Sequence, residues 1–201
     1  DTEAPVLIDN NTTPASLNQS GVSECLSTAQ GSDPTTLQAS LAALYKDNCN
    51  VVNAVYKSTA AGSNSNCAWS FTYKYTISDD HGNNFDVTIT RSGSGPAPTA
   101  IAKNITVVLN NAGNATITGA MINNGSSDAC TPLTAANFSV DKTSFTCANI
   151  GPNNVVLTVT NACGKQSTAP AIVTVVDNQP PVINTIATPI VLLWPANHKY
   201  Q

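Results

Sequence analysis

The strongest constraint on the fold of this chain is that it resembles itself. "TISDDHGNN", starting at Thr76, lies 82 positions before "TVTNACGKQ", starting at Thr158. Upstream, "KDNC" ending at Cys49 precedes "SDAC" ending at Cys130 by 81 positions, and Cys67 precedes Cys147 by 80. Each landmark recurs at nearly the same offset, the mark of one structural unit repeated. Three further stretches, "DTEAPVL", "SGPAPTA" and "DNQPPVI", place Pro5, Pro98 and Pro181 at spacings of 93 and 83. Proline ahead of a first strand stiffens a linker and suits a sheet edge. The expected organisation is therefore a first unit over 1–94, a second over 95–177 and the start of a third over 178–201.

Each unit must close a core within that length, and its local pattern says how. Runs such as Ile105–Leu109 and Val155–Val159 are β-branched and apolar, and Asn/Gly turns such as "NNAGN" separate them. In the second unit the pattern predicts strands at 101–109, 114–119, 136–140, 154–160 and 168–176. In the first it predicts strands at 51–57, 67–77 and 84–91. Leu37, Leu41 and Leu44 fall at helical spacing, so a short helical insertion is expected within 33–47. Many short strands, turns at short intervals and little helix predict an all-β chain. Units of this size predict tandem immunoglobulin-like β-sandwiches, with one short helical insertion in the first.

Charge narrows the partners. Only 10% of residues are charged, and the formal net charge is -4. The eight basic residues are scattered, which argues against nucleic acid and against an anionic membrane surface. No apolar run reaches 18 residues, so no membrane insertion is expected. The chain opens inside what reads as a linker, as a processed or excised piece would. Its six cysteines form no CxxC pair and no Cys/His ligand pattern, which favours disulfides in an oxidising, extracytoplasmic setting over zinc.

Asp79, Asp80 and His81 have the residue types of a metal or acid–base cluster. Their counterpart in the second unit, Asn161–Gly164, holds no acid, so the pattern fits a turn that caps its own backbone. Calcium, which needs about six oxygen ligands, is the sharper of the metal alternatives to that turn. The candidate ligands are Asp79, Asp80, Asp128 and Asp177, with Asp1, Glu3 and Asn178 at the outer linkers. The middle linker, "RSGSGPAP", has no acid and should hold none. Trp69 is expected in the core, while Trp194 and His198 fall in the partial third unit. With two histidines and no GxSxG, HExxH or P-loop, the chain is read as no enzyme and as needing no organic cofactor.

The second unit's "AKNITVVLNNAGNATITGAMINNGSSDAC" and "FTCANIGPNNVVLTVTNACGKQSTAPAIVTVVDNQPP" resemble the HYR-like, immunoglobulin-fold repeats of very large secreted bacterial surface proteins. The first unit's "NCAWSFTYKYTISDDHGNN" is similar to a companion module of the same arrays, and the closing "VLLWPANHKY" resembles the opening of a further one. Such arrays occur in gliding-motility adhesins exported by the type IX system. The resemblance implies a secreted, extracellular cell-surface segment, a stalk for cell adhesion or gliding. Its partners would be neighbouring repeats of the same chain, with a host or surface glycan or protein bound farther out. The alternative is a carbohydrate- or protein-binding accessory module of a secreted enzyme. The resemblance also implies a Cys130–Cys163 disulfide within the second unit. His81 stands in the place of Cys163, so it implies Cys25–Cys67 in the first, with Cys25–Cys49 as the alternative. Cys147 loses its usual partner position to Ala169.

Overall fold

The computed structural model describes residues 1–9, 12–49 and 51–181. Strands dominate and the helices are short, as expected of an all-β chain. The N-terminal half contains β1 (Val6–Leu7), β2 (Gln19–Ser23), α1 (Leu26–Gln30), α2 (Gln38–Ala42), β3 (Tyr45–Lys46), β4 (Asn53–Ser65), β5 (Ala68–Ser78) and β6 (Asn84–Ser94). The C-terminal half contains β7 (Ile105–Val108), β8 (Asn114–Thr116), α3 (Gly119–Ile122), β9 (Phe138–Val140), β10 (Ser144–Thr146), β11 (Gly151–Thr160) and β12 (Gln166–Val176).

Two four-stranded sheets carry the structure, in the orders β2-β6-β5-β4 and β7-β12-β11-β9. Their central hairpins have the same register: Ser78 faces Asn84 and Trp69 faces Gly93, as Thr160 faces Gln166 and Gly151 faces Val175. Every position of the first pairing moves to the second by adding 82. The edge strands correspond too, since β2 runs parallel to β6 and β7 parallel to β12. The Val6–Lys46 pair of β1 and β3 has its counterpart in the Thr99–Ser127 bridge.

Each sheet buries one face, and the strand period of two selects which residues go there. In β5 these are Trp69, Phe71, Tyr73, Tyr75 and Ile77; in β11 they are Val155, Leu157 and Val159. The resulting clusters share no residue, so each half has its own core. A β8–β10 ribbon covers the second sheet through Phe145. In the first half, α1 and α2 cover the sheet through Ala29 and Leu41.

The differences from the sequence expectation have local causes. The helix expected over 33–47 breaks into a 3-10 turn at Pro34–Leu37, the five-residue α2 and the strand β3. Asp33 caps the turn by accepting the Thr35 N–H, and pairing with β1 pulls Tyr45 and Lys46 out of helix. Leu37 and Leu41 still point inward, so the apolar spacing found the buried face but not the helix length. β4 runs to Ser65, well past the expected end at 57. The strand expected at 101–109 starts only at Ile105, and the one at 114–119 stops at Thr116. β2, β10 and α1 lie where no element was expected, being too short or too polar to show periodicity. The partial third unit and its Trp194 and His198 lie outside the described residues.

Candidate functional site

The chemistry-bearing residues gather at two corresponding places: the junction between the halves and the N-terminal pole of the first half. At the junction, Cys25 follows β2 and precedes α1, and Cys67 sits in the turn between β4 and β5. Both meet cysteines of the other half, giving the disulfides Cys25–Cys130 and Cys67–Cys163. This corrects the expected partners: Cys130 is not bonded to Cys163, and Cys25 is bonded to neither Cys67 nor Cys49. The expectation closed each unit on itself. Yet β6 ends at Ser94 and Thr99 already pairs in the second half, so the two ends are pressed together. Cys49 and Cys147 are free thiols, both exposed.

Polar contacts complete this junction. Asn66 accepts the Leu26 N–H at 2.9 Å through its side chain and the Gly95 N–H at 2.6 Å through its carbonyl. Its amide donates to the Cys130 carbonyl. Lys165 Nζ donates to Ser94 Oγ at 2.8 Å and to the Gly95 carbonyl. Asn161, 6% exposed, donates to the Pro96 carbonyl at 3.1 Å and to Asp128 Oδ2 at 2.9 Å. Gly95 is needed here because a Cβ would stand 2.7 Å from Cys130 Sγ.

The pole of the first half is framed in the same way. Asp79, 5% exposed, occupies the place of Asn161. Its Oδ1 accepts the N–H groups of His81 and Asn83 at 2.9 Å, as Asn161 Oδ1 accepts those of Cys163 and Lys165 at 3.0 Å. Gly82 and Gly164 turn the chain at φ +92° and +75°, a region that favours glycine. Asp47 accepts the Cys49 N–H at 3.0 Å, as Asp128 accepts that of Cys130. Where Lys165 reaches the linker, the Asn83 amide donates to the Asp1 carbonyl.

The end groups differ in charge. Asp79 cannot donate as Asn161 does, and its carboxylate comes together with those of Asp1 and Asp47, with oxygens all within 4.8 Å. Partial burial opposes ionisation of Asp79, but the bonds from Asn83 and from the backbone of His81 and Gly82 outweigh it, and its pKa falls below the usual carboxylate value. Asp128 is likewise lowered: burial opposes the shift, and donors from Asn161, Cys130 and Thr131 prevail.

The other candidate ligands are not part of this group. Asp80 lies 3.0 Å from His81 Nδ1, Asp128 belongs to the junction, and Asp177 accepts the Gln179 N–H. Glu3 accepts from the Asn48 side chain. The structure thus joins Asp79 to Asp1 and Asp47. Asp47 was missed as a ligand because it reads as the neighbour of Cys49; its equivalence to Asp128 was the available signal. Trp69 is 1% exposed, with its indole N–H on the Glu24 carbonyl and Arg91 over its ring. Among the described residues, no helix is long and apolar enough to cross a membrane.

No protein-family model matches this chain, and no curated protein matches it. Among solved structures it is similar to the "cadmium bound structure of SporoSAG". That match has 9% identity over 62% of this chain and 72% of the other, with a TM-score of 0.15. A likeness that weak carries no argument about fold or function.

Proposed function

We propose that this chain is a non-enzymatic stalk segment of an extracellular bacterial adhesin or surface filament, built from immunoglobulin-like HYR-type sandwiches in tandem. The observation that supports it best is the pair of disulfides across the junction. Together with the peptide linker they make three covalent connections between the halves. Three connections remove the hinge freedom that a single short linker would leave. A spacer that must hold a distal tip away from a surface gains from that rigidity. A pair of independent binding modules does not need it. Disulfides persist in oxidising compartments, which suits a secreted, surface-exposed chain. The partners in this reading are neighbouring repeats of the same long protein.

The accessory-module alternative asks for an exposed aromatic platform, and Trp69 is buried in the core instead. Binding of the chain to glycan arrays and to cell surfaces separates the two readings. A stalk segment gives no saturable signal, whereas tight saturable binding by this chain alone would overturn the stalk reading. Small-angle scattering with and without reductant tests rigidity directly. The oxidised chain should behave as one fixed particle, and reduction should broaden its distance distribution. A distribution unchanged by reduction would count against the proposed role of the bridges.

Calcium has a place in this proposal at the N-terminal pole, not at the junction. Asp1, Asp47 and Asp79 offer three carboxylates of the hard oxygen type that Ca²⁺ prefers, with water able to complete its shell.

A further inference from the structure

We infer that the N-terminal pole of the first half is a docking socket for the distal end of another sandwich of the same kind, with Cys49 as its covalent anchor. The inference rests on the repeat reading proposed above. It is carried by what occupies the corresponding pole of the second half. There the distal end of the first half is seated, and Cys130, the counterpart of Cys49, is bonded to Cys25.

The two poles share one hydrogen-bonding frame around that cysteine. The N–H groups of Cys49 and Cys130 are held by Asp47 and Asp128, and the adjoining turns are capped alike by Asp79 and Asn161. The entering linkers lie alike, with Asp1 on Asn83 where Ser94 lies on Lys165. Cys49 is exposed and not in a disulfide, so its thiol is open to a partner where Cys130 is already bonded.

The partner is specified by chemistry. It must carry a cysteine two residues beyond the edge strand that runs parallel to its last strand, as Cys25 follows β2. The second half has no such cysteine. Its equivalent position is Asn110, because Leu109 N–H donates to the Val176 carbonyl as Glu24 N–H donates to that of Ser94. A second unmodified copy of this chain therefore lacks the matching thiol, and the fitting partner is a like unit that has one. Bond formation consumes an oxidised low-molecular-weight disulfide. The partner thiolate attacks it and releases one thiol, then Cys49 thiolate displaces the second from the mixed disulfide. Two protein thiols lose two protons and two electrons, and the oxidant gains them.

The full chain supplies its own probe. Asn110→Cys with Cys147→Ser places the missing thiol on the distal end and removes a competing one. In a glutathione redox buffer this variant should form a ladder of disulfide-linked oligomers. Peptide mapping should show position 110 of one copy joined to Cys49 of the next. Adding Cys49→Ser should abolish the ladder. Links from 110 to 110, or no Cys49-linked product, would overturn the socket. His81→Cys provides a second variant at an exposed position, should the first not fold. It restores the counterpart of Cys163, and the thiol at 81 should then join Cys147 of another copy. An intrachain bond from 81 to Cys49 would instead count against docking. Mapping the unmodified chain keeps the two readings apart. Loss of Cys25–Cys130 there would remove the repeat reading itself, whereas its presence beside a silent pole would remove only the socket.

Discussion

The junction and the N-terminal pole are built on one frame and finished with different end groups. Both have an Asx side chain capping a glycine turn, an aspartate holding a cysteine N–H, and a linker laid across the turn. At the junction the end groups are Asn161, Lys165, Cys130 and Cys163, and the surface is closed covalently. At the pole they are Asp79, Asn83, Cys49 and His81, and the surface carries a free thiol and converging carboxylates. A few side chains on a shared backbone thus decide whether an end is sealed or open. The backbone frame itself does not encode that choice.

The largest effect should come from unsealing the junction. Replacing Cys25, Cys130, Cys67 and Cys163 by serine removes two bridges that span 105 and 96 residues of chain. Each contributes about 2–4 kcal/mol by restricting the unfolded state. Because the two cores share no residue, calorimetry should show the single transition splitting into two. Cys49→Ser and Cys147→Ser, at exposed positions, should move stability by less than about 0.5 kcal/mol. A single cooperative transition in the quadruple variant would mean that the halves cohere without their bridges.

The capping residue should matter next. Asn161→Ala strips donors from Asp128 and the Pro96 carbonyl, and an acceptor from the N–H groups of Cys163 and Lys165. Leaving such buried groups unpaired costs about 1–3 kcal/mol, measurable by urea denaturation. Asp79→Ala should lower the melting temperature less, since it also relieves the convergence with Asp1 and Asp47.

Acid provides a third comparison. Asp79 and Asp128 both have folded-state pKa values below the ordinary 3.8. A depressed carboxylate pKa contributes stability that is present above the unfolded value and is lost as pH falls through the folded one. Urea midpoints should therefore hold steady down to about pH 5 and then decline below the carboxylate range. Asp128→Asn should flatten that acid limb, and a limb unchanged by it would show that Asp128 is not a source.

Much of this frame was legible from residue order. The correspondence of Thr76 with Thr158 located the hairpin register, because strand pairing transmits a sequence offset directly into space. It also matched His81 to Cys163 at one position of the turn. Cysteine pairing was not legible, because it depends on how two ends meet, and spacing within a unit carries no information about that. Edge strands such as β2 were hidden for a related reason. "QSGVS" gains its strand conformation from pairing with β6 rather than from its own periodicity.

The smallest expected effect addresses charge at the pole alone. Asp79→Asn gives this end the capping residue that the junction already has. The amide keeps an oxygen for the His81 and Asn83 N–H groups, so the turn should survive. It also replaces the Oδ2 that accepts the Asn83 side-chain amide at 2.8 Å by a donor and removes a charge the fold favours, so stability without added cations should fall slightly. If those carboxylates gather Ca²⁺, millimolar CaCl₂ should raise the melting temperature of the unmodified chain by binding the native state alone. The Asp79→Asn variant should lose most of that increment, because one hard anionic ligand is gone. Asp128→Asn, in a frame closed by Asn161, should leave the calcium increment intact. An equal loss in both variants would show that calcium acts on the chain's overall negative charge, and that the pole has no cation chemistry of its own.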